Sequence, residues 1–314
     1  MLHTYYKHKK RKQTLQNDFP ITKKKQKRND TYTFRKYTAA TSLLTSISIR
    51  FDDLEQIQLG LDLIFQNSKW GKEGDCVISK SDVKAAARQQ CSLLFGEVLP
   101  SGVIRMSAPD LLNIHSATRV LDMGSGLGKL AVQLFFAHSH LEDVWGIEFS
   151  HARFARCREL LRHFCAQNSD RLLFRESGDM EFRVTERRKS RQNKKRSLRF
   201  FCGDMLMARF QKQARSKQFD VIICETEVPK NRYATFFHCM KILADRPMTR
   251  LMTYHDLDQL QETLVFTGEN KVENLSFLHL KKLYRDNEAK RMIHTSWSQI
   301  NKNGHVFHFW GASD

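Results

Sequence analysis

The fold is decided by one stretch, Val120-Leu121-Asp122-Met123-Gly124-Ser125-Gly126-Leu127-Gly128-Lys129-Leu130. Its apolar beginning predicts a buried strand that ends at Asp122, and the residues after Gly128 predict a helix. The glycines between them permit a sharp turn, because a glycine has no Cβ. Open α/β sheets bind ligands at the carboxyl edge of their strands, which is where this turn is expected to lie. The stretch therefore predicts a ligand-binding turn.

The spacing of the turn indicates which ligand it binds. A dinucleotide fingerprint is G-x-G-x-x-G, whereas this chain has G-x-G-x-G with an acid two residues earlier. A pyrophosphate needs bare amides at a helix N-terminus, and Asp122 would repel it. The methionine end of S-adenosylmethionine is cationic and tolerates the acid. We therefore predict that S-adenosyl-L-methionine is the cofactor. The predicted contacts in the turn are Asp122, Gly124, Ser125, Gly126 and Gly128.

A second acid ends the next apolar run, Val144-Trp145-Gly146-Ile147-Glu148, 20 residues beyond Gly128. An acid at the tip of the second strand can accept hydrogen bonds from both ribose hydroxyls. The alternative is an acid that simply begins a turn. Two acids at consecutive strand tips, on either side of a glycine turn, favour the cofactor site.

The composition restricts the partners of the protein. The chain has 314 residues and a formal net charge of +18, a balance typical of proteins that bind a polyanion. No apolar run reaches the length of about 18 residues that a membrane span needs, so no membrane partner is expected. The seven cysteines form no C-x-x-C pair, which indicates reduced thiols and no structural metal.

Residues 1–37 differ from the rest of the chain, because they hold twelve Lys or Arg and two acids. So few apolar residues cannot form a core, and we predict a disordered basic arm. The cluster Lys23-Lys24-Lys25-Gln26-Lys27-Arg28 indicates nuclear import or an arm that binds a polyanion. A solvated tail and a mitochondrial presequence are the alternatives. The predicted localisation is the nucleus, with the cytoplasm as the alternative.

Residues 38–94 are predicted to form a helical lead-in, whose second helix covers Ser81 to Leu94 with Ser81 or Asp82 as its cap.

Residues 95–314 are predicted to form the main domain. Strands are predicted near 119–123, 144–148, 199–202, 219–224 and 249–254, with helices near 127–138, 150–168 and 231–243. This alternation predicts an α/β fold with a mostly parallel, doubly wound sheet. Asn303-Gly304 predicts a final antiparallel hairpin between 292–298 and 306–310.

A basic insertion at 183–199 interrupts the main domain and is predicted to be a surface loop. Together, residues 7–36 and 187–199 are predicted to contact the phosphate backbone of DNA or RNA. A solvated loop is the alternative for the insertion taken alone.

Three further segments complete the predicted site. Phe95 and Glu97 belong to a loop before the first core strand, where the acid can fold over the ligand and pair with its α-amino group. Asp204 and Met205 follow the third strand and are predicted to contact the adenine ring. Residues 225–227 follow the fourth strand, at a strand tip where side chains of this fold are expected to position the nucleophile. Glu225, Thr226 and Glu227 offer acceptors for an amine there. An ordinary connector and a polar turn are the alternatives.

These segments resemble the non-SET histone lysine methyltransferases of the disruptor-of-telomeric-silencing type. The glycine turn is similar to that family's D-L-G-S-G-V-G, Phe95-Gly96-Glu97 to its Y-G-E, Gly146-Ile147-Glu148 to its G-V-E, Gly203-Asp204-Met205 to its G-D-F, and Thr295-Ser296-Trp297-Ser298 to its S-W-T hairpin. The resemblance spans roughly residues 90 to 310. It implies a class I, Rossmann-like methyltransferase fold with a seven-stranded sheet, and methyl transfer to a nucleosomal histone lysine.

One segment departs from that family. Where the family carries Asn-Asn-Phe, this chain has Cys224-Glu225-Thr226-Glu227, and a carboxylate offers only acceptors where an amide offers both donor and acceptor. An RNA or tRNA methyltransferase is therefore an alternative, although the chain lacks an Asn/Asp-Pro-Pro-Tyr segment. A catalytically silent scaffold that binds chromatin or nucleic acid is the second alternative. The sequence makes no prediction of the oligomeric state.

Overall fold

The computed structural model describes residues 53–66, 70–187, 195–266, 280–297 and 304–312. The predicted basic arm, residues 1–37, lies outside the described residues, as do 38–52 of the predicted lead-in and 188–194 of the predicted insertion. Within the described ranges, no helix is long and apolar enough to span a bilayer.

Helices and strands alternate along most of the described chain. The helices are α1 (Leu54–Ile64), α2 (Glu73–Cys76), α3 (Lys80–Gln89), α4 (Pro100–Met106), α5 (Lys129–Ala137), α6 (His151–Gln167), α7 (Ala208–Arg215), α8 (Tyr233–Leu243) and α9 (Leu257–Phe266). The strands are β1 (Arg119–Met123), β2 (Asp143–Glu148), β3 (Leu172–Glu176), β4 (Glu181–Glu186), β5 (Ser197–Cys202), β6 (Val221–Cys224), β7 (Arg250–Thr253), β8 (Leu280–Leu283), β9 (Met292–Ile293), β10 (His305–Val306) and β11 (His308–Ala312).

The main sheet has nine strands in the order β3-β4-β5-β2-β1-β6-β7-β11-β8. The five central strands from β5 to β7 are parallel. Strand β11 is antiparallel to both of its neighbours, β7 and β8. Without the β3–β4 hairpin, the sheet has the seven strands of a class I, Rossmann-like methyltransferase fold in their order. The predicted fold class is confirmed.

Alternate residues of the central strands face opposite sides of the sheet, as the period of two in a strand requires. Val120, Val144 and Val221 pack on one side together with residues of α5 and α6. Leu121 and Trp145 pack on the other side with residues of α7 and α8. Because both faces are covered, these strands are apolar throughout, and the sequence identifies them easily.

The prediction of a surface loop at 183–199 is wrong for both ends of that segment. Residues up to Glu186 belong to β4, and residues from Ser197 belong to β5. In β4 the buried Phe182 and Val184 alternate with charged side chains on the more open face. Such alternation is typical of a half-buried strand, but the high charge of the segment concealed it in the sequence.

The predicted C-terminal hairpin is confirmed only in part. Strands β9 and β10 pair antiparallel, but with two residues each. The chain then continues as β11, which enters the main sheet between β7 and β8. Strand β8 was not predicted, since Leu-Lys-Lys-Leu is too short and too charged to give a strand signal.

The cap of α3 also differs from the prediction. The cap is Ser79, and Asp82 is the third helical residue, whose carboxylate accepts from the Ser79 N–H to complete a capping box. The helix ends at Gln89, because Gln90 is in the left-handed conformation with φ 53°. It therefore stops short of the predicted end at Leu94.

Candidate active site

A cavity of about 270 Å³ lies at the carboxyl ends of the central strands. It is lined by nine of the predicted site residues: Phe95, Gly124, Gly126, Glu148, Asp204, Met205, Glu225, Thr226 and Glu227. Four other predicted residues, Glu97, Asp122, Ser125 and Gly128, do not line it. In the described part of the chain, no group of three or more His, Cys, Asp or Glu side chains is arranged to hold a metal ion.

The glycine turn is bound tightly to the end of β2. The N–H groups of Gly124 and Ser125 both donate to the Ile147 carbonyl at 2.9 Å, and the Gly126 N–H donates to Glu148 Oε2 at 2.8 Å. These three amides are therefore already bonded within the protein. A pyrophosphate needs free amides, so the turn is poorly suited to a dinucleotide.

Asp122, the last residue but one of β1, is an unpaired acid. Its side chain is fully buried, and neither carboxylate oxygen has a hydrogen-bond partner among the described residues. Burial raises the pKa of Asp122 to about 8, and the neighbouring Glu148 carboxylate adds to the rise. A buried carboxylate without partners is costly unless a cation or donor compensates it.

Glu148 is buried at the end of β2 but is well paired. Its Oε1 accepts from the Ser150 N–H at 2.8 Å, and the Arg153 guanidinium lies 3.8 Å away. Burial raises the pKa of Glu148, although Arg153 and the two backbone donors oppose the rise. Arg153 also stacks over the Phe95 ring at 4.5 Å. The sequence did not point to Arg153, because a lone arginine on a helix carries no signal.

Glu97 faces the protein interior beside the cavity. Its Oε1 lies 3.1 Å from the Lys129 ammonium, and its Oε2 accepts from the Gly71 N–H at 2.7 Å. Lys129 is itself almost fully buried and lies over the Trp70 ring at 4.3 Å. The predicted pairing of Glu97 with a cofactor amine remains a prediction, and Lys129 would compete with that amine.

The two segments most specific to the family resemblance lie side by side. The Glu97 N–H donates to Ser296 Oγ at 3.0 Å, and the Ser296 N–H donates to the Glu97 carbonyl at 2.8 Å. Gly96 lies so close to the Trp297 ring that a Cβ there would be 2.0 Å from it. The loop at 95–100 and the Ser-Trp segment therefore form one wall of the cavity.

Both carboxylate oxygens of Asp204 accept a hydrogen bond. Its Oδ1 accepts from the Leu206 N–H at 2.9 Å, and its Oδ2 accepts from Arg232 Nη2 at 2.7 Å. Arg232 lies beyond β6 and was not predicted. Its contact with Asp204 joins residues 28 positions apart, so nothing local in the sequence indicates it.

The loop after β6 brings a second unpaired acid to the cavity. Glu225 Oε2 is buried and has no hydrogen-bond partner among the described residues. Burial raises the pKa of Glu225 well above its usual range, and the carboxylates of Asp122 and Glu97 raise it further. Thr226 lies against the glycine turn, whereas Glu227 is exposed. The loop is fixed by Val228, whose N–H donates to His255 Nε2 at 2.7 Å.

No protein-family model matches the chain, and no curated protein matches it in sequence. The chain is similar in structure to a Klebsiella pneumoniae protein assigned as an O-methyltransferase, with a TM-score of 0.38, 13% identity and coverage of 89% of this chain and 99% of that one. It is also similar to a Staphylococcus aureus protein assigned as a caffeoyl-CoA O-methyltransferase, with a TM-score of 0.37, 12% identity and coverage of 83% and 100%.

A third structure is fibrillarin from Aeropyrum pernix with natively bound S-adenosyl-L-methionine, with a TM-score of 0.35, 12% identity and coverage of 68% of this chain and 73% of that one. Similarities of this size carry no inference about the substrate.

Proposed function

We propose that the protein is an S-adenosyl-L-methionine-dependent methyltransferase. One observation carries the proposal: Asp122 and Glu225, two acids with unpaired buried oxygens, lie beside a glycine turn whose amides are already bonded. A cation bound there would favour the ionised form of both acids and be compensated by it, whereas a phosphate would find no free amide. The cofactor has a sulfonium and an ammonium group, and its bound form supplies an electrophilic methyl group.

The remaining predicted residues can hold the rest of that cofactor. Glu148 oxygens that each accept one backbone N–H retain a second lone pair for a ribose hydroxyl. Each Asp204 oxygen likewise retains a lone pair, which can accept from the exocyclic amine of the adenine. The apolar side chain of Met205 can pack against the adenine ring. Phe95 covers the turn, because a Cβ on Gly126 would lie 2.8 Å from its ring.

We propose an amine as the methyl acceptor. A lysine titrates near ~10.4 and must lose its proton to act as a nucleophile. Burial raises the pKa of Glu225, which makes this carboxylate a stronger proton acceptor than an ordinary glutamate and suits it to take up that proton. Thr226 and the exposed Glu227 offer further acceptors for the amine. These side chains stand where the histone lysine methyltransferases that the sequence resembles carry amide side chains.

We propose a histone lysine of the nucleosome as the substrate, and the nucleus as the place of action. In the run at 187–199, Arg196 and Arg199 pair with Glu186 and Glu181 inside the domain. The net charge of +18, the basic run at 7–36 and the other basic residues of 187–199 support a partner with a phosphate backbone. Phosphate contacts of this kind bind without sequence preference, as a nucleosomal substrate requires. The same charge would serve an RNA substrate.

The substrate is tested by incubating the full chain with methyl-labelled S-adenosylmethionine and either nucleosomes or total RNA. Label on a histone lysine is the expected result. Label on RNA alone would replace the proposal with the RNA or tRNA methyltransferase. Cofactor binding without label on either polymer would favour the silent scaffold.

The cofactor site is tested by calorimetry with S-adenosylmethionine. Asp122→Ala and Glu148→Ala are each expected to abolish binding, and Asp179→Ala, which removes an exposed acid, is the control. Circular dichroism establishes that each variant folds. Unchanged affinity in both site variants would overturn the assignment of the cavity.

A further inference from the structure

Arg232 joins three segments of the chain that line the same cavity. It ends the short helical turn Lys230–Arg232, which follows the acceptor-side residues 225–227. Its Nη2 donates to Asp204 Oδ2 at 2.7 Å, and its Nη1 donates to Cys91 Sγ at 2.7 Å. Asp204 follows β5, and Cys91 follows α3. One guanidinium therefore connects the acceptor side, the proposed adenine side and the segment that leads into the loop at 95–100.

The position of this ion pair fixes the direction of the Asp204 carboxylate. Only 16% of the Arg232 side chain and 9% of the Asp204 side chain are exposed. The Leu206 N–H donates to the other carboxylate oxygen of Asp204. Both oxygens are therefore hydrogen-bonded, and the carboxylate group is held in one orientation. A planar guanidinium holds two acceptors with donors in a rigid fork, whereas the ammonium of a lysine is a single point charge on a flexible stem.

We propose that Arg232 is a positioning residue that holds the Asp204 carboxylate for the adenine of the cofactor. This inference rests on the proposed function, because it assigns Asp204 to the adenine. In this proposal Arg232 acts through Asp204 and has no part in the transfer of the methyl group. Its effect therefore falls on the binding of any ligand that carries adenosine, whatever the charge on its sulfur.

The experiment measures dissociation constants by calorimetry for three ligands: S-adenosylmethionine, S-adenosylhomocysteine and methylthioadenosine. Arg232→Ala is expected to weaken all three by a similar factor of about ten, the size expected for a charge-assisted hydrogen bond. Arg232→Lys keeps one donor for Asp204 and is expected to lose less. In a double-mutant cycle, Asp204→Asn is expected to add little to Arg232→Ala.

Arg246→Ala is the matched control. Arg246 Nη1 pairs with Asp220 Oδ1 at 3.0 Å, but Asp220 precedes β6 and lies at the end of the sheet opposite the cavity. This variant is expected to bind all three ligands like the wild type. An equal loss in Arg246→Ala would mean that Arg232 acts only through general stability and would overturn the inference.

Other outcomes separate this inference from the proposed function. If the wild type binds no S-adenosylmethionine, the proposed function fails and the inference fails with it. If the wild type binds and Arg232→Ala binds equally well, the inference alone fails. A loss for S-adenosylmethionine but not for methylthioadenosine would place Arg232 at the sulfonium end and also overturn it. If Arg232→Ala does not fold, Arg232→Lys is measured with the same three ligands. We expect its affinity for each of them to fall several-fold. An unchanged affinity would contradict the inference.

Discussion

Gly124 is the residue at which the glycine turn meets the loop after β6. Its φ is +88°, and a Cβ there would lie 1.8 Å from Thr226 Oγ1. Gly178 has a similar φ of +74°, but nothing lies within 4 Å of the place its Cβ would take. A side chain at either glycine would strain the backbone, but only a side chain at Gly124 would also clash with a neighbour. Comparing the two positions therefore distinguishes the cost of strain from the cost of the clash.

We expect Gly178→Ala to lower the free energy of unfolding by about 1 kcal/mol, through backbone strain alone. Gly124→Ala combines the same strain with a clash and is expected to lose more. The double variant Gly124→Ala, Thr226→Ala is expected to recover part of that loss. Urea denaturation measures all three. Equal losses for the two single variants would show that the contact with Thr226 is unimportant.

Asp122 gives the protein a distinctive dependence on pH. Its pKa of about 8 lies far above the ordinary value of 3.8, so the folded state binds the proton more tightly than the unfolded state does. The stability that this proton contributes is complete below about pH 4 and is lost as the pH rises toward 8.

Asp122→Asn removes the part of this dependence that belongs to Asp122, while Glu148 and Glu225, whose pKa values are also raised, keep theirs. We expect the ligand-free variant to exceed the wild type in stability at pH 8 by more than it does at pH 5, in urea denaturation at the two values. Glu148→Gln, which changes a buried but hydrogen-bonded acid, is the comparison. A stability difference between Asp122→Asn and the wild type that is constant with pH would contradict the buried, protonated state of Asp122.

At the scale of elements, Lys129 connects α5 to the loop at 95–100. A cation at the first turn of a helix is disfavoured by the helix dipole, so Lys129 depends on Glu97. The side chains of Lys129 and Glu97 are only 3% and 8% exposed. Removing one partner of such a pair leaves the other charge buried without compensation.

We expect Lys129→Met to lower the free energy of unfolding by about 3 kcal/mol. The double variant Lys129→Met, Glu97→Gln is expected to lose less than the sum of the two single variants, because it leaves no unpaired charge. Arg285→Met breaks an exposed pair with Asp258 and should cost about 1 kcal/mol or less. Additive losses would argue against a coupled pair.

The elements that the sequence predicted well are those whose signal is local. Strands β1 and β2 are continuous apolar runs, and the turn between β1 and α5 carries its own glycines. The hairpin of β3 and β4 was missed because charged residues alternate with the buried Phe182 and Val184. The pairing of Asp204 with Arg232 and of Glu97 with Lys129 depends on where the fold brings distant segments, and no local pattern encodes it.

For the whole molecule, charge decides which partners can approach. The described domain places several acids at the cavity, among them Glu148 and Asp204, whereas the run Lys23-Lys24-Lys25 belongs to a segment with a large excess of basic residues. An acidic cavity suits a cationic cofactor and amine. A basic segment suits a polymer of phosphates. The two charge patterns therefore serve different ligands, and changing one should leave the other unaffected.

We expect Lys23→Glu, Lys24→Glu, Lys25→Glu in the full chain to weaken binding to nucleosomes and to flatten its dependence on salt. Each phosphate contact contributes about 0.9 to the slope of log K against log salt, so the slope should fall by roughly 2 to 3. Lys80→Glu, Lys84→Glu, Lys212→Glu lowers the net charge equally, at exposed positions of the folded domain, and should change the slope less. Titration at several salt concentrations measures both slopes, with calorimetry of S-adenosylmethionine expected to give the wild-type affinity in each variant. Equal slopes in the two variants would show that net charge, and not the basic run, governs binding to the polymer.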